Sequence, residues 1–163
     1  MSNKIYFATK HDKIIIPSKR DEDGAYDLYA DLYGLDYLKI EPFTSKMVPT
    51  GLYSAFDKKY RIVFQERGST GIRNIKINAG LVDSGYRGEW IVLLYNANPV
   101  PLYIFNEMPL TPEPDAIYYP CDKAICQAKV EIVPKVKIEV VSAKELSEMK
   151  SNRGDGMLGS SGK

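Results

Sequence analysis

Short apolar stretches separated by turn residues run along almost the whole chain. They are KIYFA at 4–8, KIIIP at 13–17, AYDLYA at 25–30, YLKI at 37–40, GLYSAF at 51–56, YRIVFQ at 60–65, IKINAGLV at 75–82, EWIVLLYN at 89–96, PLYIF at 101–105, AICQAKVEIV at 124–133 and VKIEVV at 136–141. Ile, Val, Tyr and Phe dominate them. Several alternate apolar with polar residues, as at Ile75, Ile77 and Ala79, the period-two signature of a strand with one buried face. Many short strands at this spacing predict an all-β sandwich or closed barrel. One short helix is expected in SAKELSEMK at 142–150, where Ser142 and Glu145 have capping-box spacing and Leu146 and Met149 share a face.

Two segments break the rhythm. Residues 97–120 hold six of the ten prolines; proline removes ladder donors, so an inserted loop or hairpin is expected there. The end of the chain, SNRGDGMLGSSGK, is too polar and glycine-rich to join a core. The expected organisation is therefore a β domain over 1–142 followed by a flexible glycine-rich C-terminal arm over 143–163.

Composition narrows the picture. A chain of 163 residues with 44% hydrophobic and 26% charged residues suits one soluble globular domain. The net charge of +1 gives no bulk attraction to nucleic acid or an acidic membrane. No stretch has the length of a membrane span, and the first residues lack the apolar core of a signal peptide, so the cytoplasm is expected (the host's, for a viral chain). Cys121 and Cys126 lie an odd number of positions apart, which on a strand puts them on opposite faces; two buried fillers are expected, not a disulfide.

Five polar features interrupt the apolar runs. In GLVDSGYRGEW, Asp83 stands where a buried strand meets a turn, and partial desolvation there would suit a carboxylate that activates water. Tyr86 offers a flat face for a sugar ring or base. In ERGSTG, Arg67 is followed by small hydroxyl and glycine residues that can grip phosphate. RGDGMLGSSGK supplies Arg153, serine donors and glycines. Its glycine spacing resembles a P-loop, but the Lys-Ser/Thr and the following helix are missing. Asp27 lies within the apolar AYDLYA, where a lone carboxylate needs either a salt bridge or a hydrated metal, and Gln127 is in a similar setting.

Taken in order, AYDLYA, ERGSTG, NAGLVDSGYRGEW, DKAICQ and RGDGMLGSSG resemble the five motifs of the trimeric dUTPase family and span most of the chain. The resemblance implies a jelly-roll-like β subunit, a homotrimer with active sites between subunits, and hydrolysis of dUTP to dUMP and pyrophosphate. By position in those motifs, Asp83 is the base that activates water. Tyr86 packs on the deoxyribose, and the backbone at Gly80, Leu81 and Val82 reads uracil. The resemblance further implies that Asp27 holds waters of a Mg²⁺ ion, that Arg67, Ser69 and Gln127 hold phosphates, and that Arg153, Gly159 and Ser160 fold over the γ end.

The chain departs from the family pattern at several places. Gly68 occupies the usual serine place, with Ser69 next, and Asn78 stands one residue nearer the aspartate than the family's uracil-facing asparagine. Ala124 replaces a common arginine, and Met157-Leu158 replaces Gly-Phe, so Leu158 can cover a base but not stack on it. Two other functions compete. A dCTP deaminase shares this core but needs a catalytic glutamate where Leu94 stands. A scaffold that binds a protein partner could use 97–120, with Tyr103, Phe105, Tyr118 and Tyr119; deleting 99–118 would separate that role from turnover.

Overall fold

The computed structural model describes residues 3–156, in two compact units that divide between Val133 and Pro134. The first unit is built almost entirely of strands. In chain order these are β1 (Ile5–Thr9), β2 (Tyr26–Leu28), β3 (Tyr37–Ile40), β4 (Ser45–Pro49), β5 (Leu52–Phe56) and β6 (Tyr60–Gln65). A single helical turn, α1 (Gly68–Gly71), follows. Then come β7 (Ile75–Ala79), β8 (Leu81–Asp83), β9 (Ile91–Asn96), β10 (Leu102–Phe105), β11 (Ile117–Pro120) and β12 (Cys126–Ile132).

The strands form four small sheets: β1-β5, β11-β10-β3, β2-β12-β6-β8 and β4-β9-β7. Alternation places one face of each inside. On β5, Leu52, Ser54 and Phe56 are buried, and on β9, Val92, Leu94 and Asn96. Trp90 is the largest fully buried side chain. Phe7 packs edge-on against it at 5.2 Å and Phe64 lies tilted at 5.6 Å. Its indole N–H donates to Ser54 Oγ at 2.9 Å, so the ring contributes its apolar area without an unpaired donor. A second buried polar group, Asn96, donates to Ile40 O and Val100 O and accepts from Asn98 N–H, which shapes the turn after β9.

Several expectations need correction. KIIIP forms no strand, and its Ile15 and Ile16 are exposed; VKIEVV forms none either. β4 and β11 are strands that the apolar pattern missed. The segment 97–120 is not an appended hairpin. β10 pairs antiparallel with β3 and parallel with β11, and Leu102, Tyr103, Ile104 and Tyr119 are buried. Tyr103 and Tyr119 therefore offer no binding surface, and deleting 99–118 would remove core. Pro120 is tolerated because β11 is an edge strand. The loop between β10 and β11 is tied back by Glu113, which accepts from Lys39 Nζ and Tyr103 Oη.

Both cysteines are free and buried, and burial pushes the Cys121 thiol up to about 11. In the second unit, α2 (Ala143–Glu148) has the capping box expected of Ser142 and Glu145. Among the described residues, no helix is long and apolar enough to cross a membrane.

Candidate active site

The sheet β2-β12-β6-β8 carries most of the chemistry. Its register sets Asp27 on β2 opposite Gln127 on β12, and Gln127 opposite Gln65 near the end of β6. The chain leaves β6 through Glu66 and Arg67 into α1, where buried Thr70 accepts from Arg67 N–H and donates back to Arg67 O. Arg67 Nε donates to Asp27 Oδ1 at 2.9 Å and its Nη2 to Oδ2 at 3.1 Å, a two-point ion pair. The salt bridge weighed for Asp27 is thus present, with Arg67 as partner. Gln127 Nε2 donates to Glu66 O at 2.8 Å. These groups face a polar cleft of about 710 Å³ that Lys19, Arg20, Gly68 and Ser69 also line.

Along the other edge of the sheet, at β8, lies a second cleft, of about 570 Å³ and largely apolar, with Phe64, Gly80, Leu81, Val82, Asp83, Tyr86 and Trp90 in its lining. Asp83 ends β8 opposite Arg61, whose guanidinium is held by Glu131. Tyr86 N–H donates to Asp83 O at 3.0 Å, closing a turn, and Arg87 Nη1 donates to the carbonyls of Ser84 and Tyr86. Tyr86 folds back over Gly88 and donates its hydroxyl to Glu89 O. A Cβ on Gly88 would lie 2.3 Å from Tyr86 Oη, so only glycine leaves room for this ring position. Glu89 Oε1 accepts from the N–H groups of Thr50 and Gly51, anchoring the turn to the body of the unit.

One expectation at this cleft is corrected. Asp83 is exposed, so the chain does not itself supply the expected desolvation. Asn78 sits at a bulge between Ile77 and Ala79 and donates its amide to Ser45 Oγ at 2.7 Å. Arg153 belongs to the second unit, where its Nε donates to Gly156 O. Leu158, Gly159 and Ser160 lie outside the described residues. Sequence reading missed Glu66, Arg87, Gly88 and Glu89. Of these only Gly88 left a signal, as the glycine closing the turn.

The two clefts share no lining residue. On β6, Asp83's partner Arg61 and Gln127's partner Gln65 are four residues apart, about 13 Å at strand rise, and Arg67 lies beyond. One cleft is apolar with a carboxylate and a ring, and the other polar with a guanidinium and an amide. Together they suit the two ends of a nucleotide, and the fold and site define an all-β nucleotide-binding protein.

Comparison with known proteins narrows this class. The family profile described as dUTPase matches residues 11–107. The chain is 34% identical over 151 residues to the deoxyuridine 5'-triphosphate nucleotidohydrolase of Mycobacterium leprae (strain TN), covering 90% of this chain and 87% of that protein. It is 30% identical over 159 residues to the protein of the same name from Hydrogenobaculum sp. (strain Y04AAS1), covering 91% and 97%. Among solved structures, the Staphylococcus bacteriophage 80alpha dUTPase with dUPNHPP superposes with a TM-score of 0.76 at 16% identity, over 98% of both chains. The dUTPase of phage phi11 of S. aureus, with its species-specific insert, gives 0.66 at 17% identity over 85% of this chain and 96% of that one. This chain belongs to the dUTPase family.

Proposed function

We propose that the chain hydrolyses dUTP to dUMP and pyrophosphate at sites shared between subunits of a homotrimer. The observation that carries the shared site is the separation of its halves. A base, an attacking water and the α-phosphorus must fit within a few ångströms of one another. Within one chain Asp83 and the Asp27–Arg67–Gln127 group stand at opposite ends of β6. The nucleoside cleft of one subunit therefore faces the phosphate cleft of the next.

In this reading the Asp83 carboxylate takes a proton from water. The water oxygen bonds to the α-phosphorus, and the bond from that phosphorus to the bridging oxygen breaks, releasing pyrophosphate. Contact with the neighbouring subunit supplies the desolvation that Asp83 lacks alone. Tyr86 packs on the deoxyribose and leaves no room for a 2′-hydroxyl. The Gly80, Leu81 and Val82 backbone reads uracil. Arg67, Gly68, Ser69 and Gln127 hold phosphate oxygens, and Arg153, Leu158, Gly159 and Ser160 on the arm (143–163) close over them. Asn78, held by Ser45 Oγ two residues before the uracil-reading backbone, is a further substrate contact.

The donor set fits Mg²⁺ held through water. No cluster of three or more His, Cys, Asp or Glu residues occurs among the described residues. A hard cation that keeps its waters and shares substrate phosphates needs only one or two carboxylates and space. Asp27 has both in its polar cleft. When bound, the ion would neutralise phosphate charge. The cytoplasm is the proposed location. A protein partner at 97–120 is restricted to the loop between β10 and β11, where Met108 and Leu110 are exposed. The deaminase reading is not favoured: Leu94 is fully buried and offers no proton shuttle.

The purified protein with Mg²⁺ and dUTP, dTTP, dCTP or UTP tests this directly. Pyrophosphate release is expected from dUTP alone, and ammonia from dCTP would support the deaminase instead. A second expectation concerns the lid. Gly88→Ala pushes the end of the Tyr86 side chain aside without touching the core, so thermal unfolding stays close to wild type while kcat/KM for dUTP falls about tenfold. Unchanged kinetics would remove Tyr86 from the sugar site.

A further inference from the structure

We infer that Glu66 is a positioning residue for pyrimidine selection, its carboxylate pinning the strand that enters the base-reading hairpin. The inference rests on the dUTP reading above and concerns a residue that contacts no substrate.

β7 lies at the edge of the sheet β4-β9-β7, and β8 at the edge of β2-β12-β6-β8. The chain changes sheets between Ala79 and Leu81, at Gly80. Such a crossing has no ladder of its own to fix its width. Two contacts from β6 and its extension fix it instead. At one, Phe64 N–H donates to Gly80 O at 2.6 Å, and the approach is so close that a Cβ on Gly80 would lie 2.6 Å from Phe64 Cβ. At the other, Ile77 N–H donates to Glu66 Oε1 at 3.0 Å.

The second contact sits at the bulge. Ile77 faces Leu94 and Ala79 faces Leu93, which leaves Asn78 without its own partner on β9. Bulges re-aim the residues that follow and weaken the local ladder. A carboxylate on the outer side of β7 takes the place of a neighbouring strand there. Glu66 is itself anchored, because its carbonyl accepts from Gln127 Nε2. The Ile77 N–H bond also holds the Glu66 carboxyl below its usual range, so the acceptor stays anionic through neutral pH. Glu66 thus joins the phosphate loop that begins at Arg67 to the hairpin that reads the base.

Uracil and thymine differ by one methyl group, and a hairpin that opens slightly admits it. The reaction centre need not change. Glu66→Ala is therefore expected to raise kcat/KM for dTTP relative to dUTP by about tenfold. Glu66→Asp draws the carboxylate back by one methylene and should act like the alanine variant. Glu66→Gln keeps an oxygen acceptor and is expected to stay within about twofold of wild type. Amide hydrogen exchange at Ile77 reads the contact itself and should accelerate in the alanine and aspartate variants only. If the alanine variant does not fold, the aspartate variant carries the test. A folded Ala or Asp variant with an unchanged dTTP to dUTP ratio overturns the inference alone. So does a Gln variant that loses selectivity equally. A wild-type chain that does not turn over dUTP removes the functional reading and this inference with it.

Discussion

Asp83→Asn is expected to lower kcat for dUTP by about 10³-fold while leaving the affinity for a non-hydrolysable dUTP analogue nearly unchanged. The substitution exchanges one oxygen for an amide nitrogen of the same size. The surrounding geometry does not depend on the carboxylate charge. β8 is held by backbone pairing of Leu81, Val82 and Asp83 to β6, and the following turn by Tyr86 N–H on the Asp83 carbonyl. No side-chain ion pair of Asp83 is lost, since its cross-strand neighbour Arg61 is bound to Glu131. What disappears is the proton acceptor. Single-turnover rates with saturating dUTP, set beside calorimetric binding of the analogue, separate the two effects. A variant that turns over at the wild-type rate moves the base elsewhere. One that loses binding in proportion to rate makes Asp83 a contact to substrate and not a base.

The parts of the candidate site legible in the sequence are those whose signal is local. Asp83 and Tyr86 interrupt an apolar run within one turn, and Asp27 interrupts another, so each stands out from its neighbours. The alternation at Ile75, Ile77 and Ala79 marked β7. β4 escaped because only Val48 of its five residues is buried, so its apolar pattern is faint. β11 escaped because the prolines around it outweigh the apolar IYY. KIIIP and VKIEVV are the converse cases: period and composition report what a segment could do, not whether a partner strand lies beside it. Glu66 was illegible, and Gly88 legible only as a turn glycine, for a related reason. The role of Glu66 exists only where β6 and β7, from two sheets, come side by side. That of Gly88 depends on which way the Tyr86 ring turns. Nor does the sequence reveal that Asp27 and Asp83, both polar marks on one sheet, stand at opposite edges of it.

That last separation leads to the second large effect. Arg67→Ala removes both a cation facing the polar cleft and the partner of Asp27, and is expected to lower kcat/KM by about 10²-fold or more. Asp83→Asn and Arg67→Ala chains are each expected to be nearly inactive alone. In the proposed cyclic assembly each site would join the nucleoside cleft of one subunit to the phosphate cleft of its neighbour. A site is then intact when an Arg67→Ala chain, with its Asp83, meets an Asp83→Asn chain, with its Arg67. Random equimolar mixing makes about a quarter of the sites intact. Co-refolding the two inactive variants should therefore recover about a quarter of wild-type turnover, and mixing them folded should recover it only as subunits exchange. A chain that carried a complete site would give no recovery under either protocol, because every chain in the mixture lacks one half. Doubly substituted chains co-refolded with wild type give the control. They also leave about a quarter of sites intact, by the chance meeting of two wild-type neighbours. Equal recovery in the two mixtures is the signature of a site divided between chains, and it follows from the length of β6 between Arg61 and Gln65.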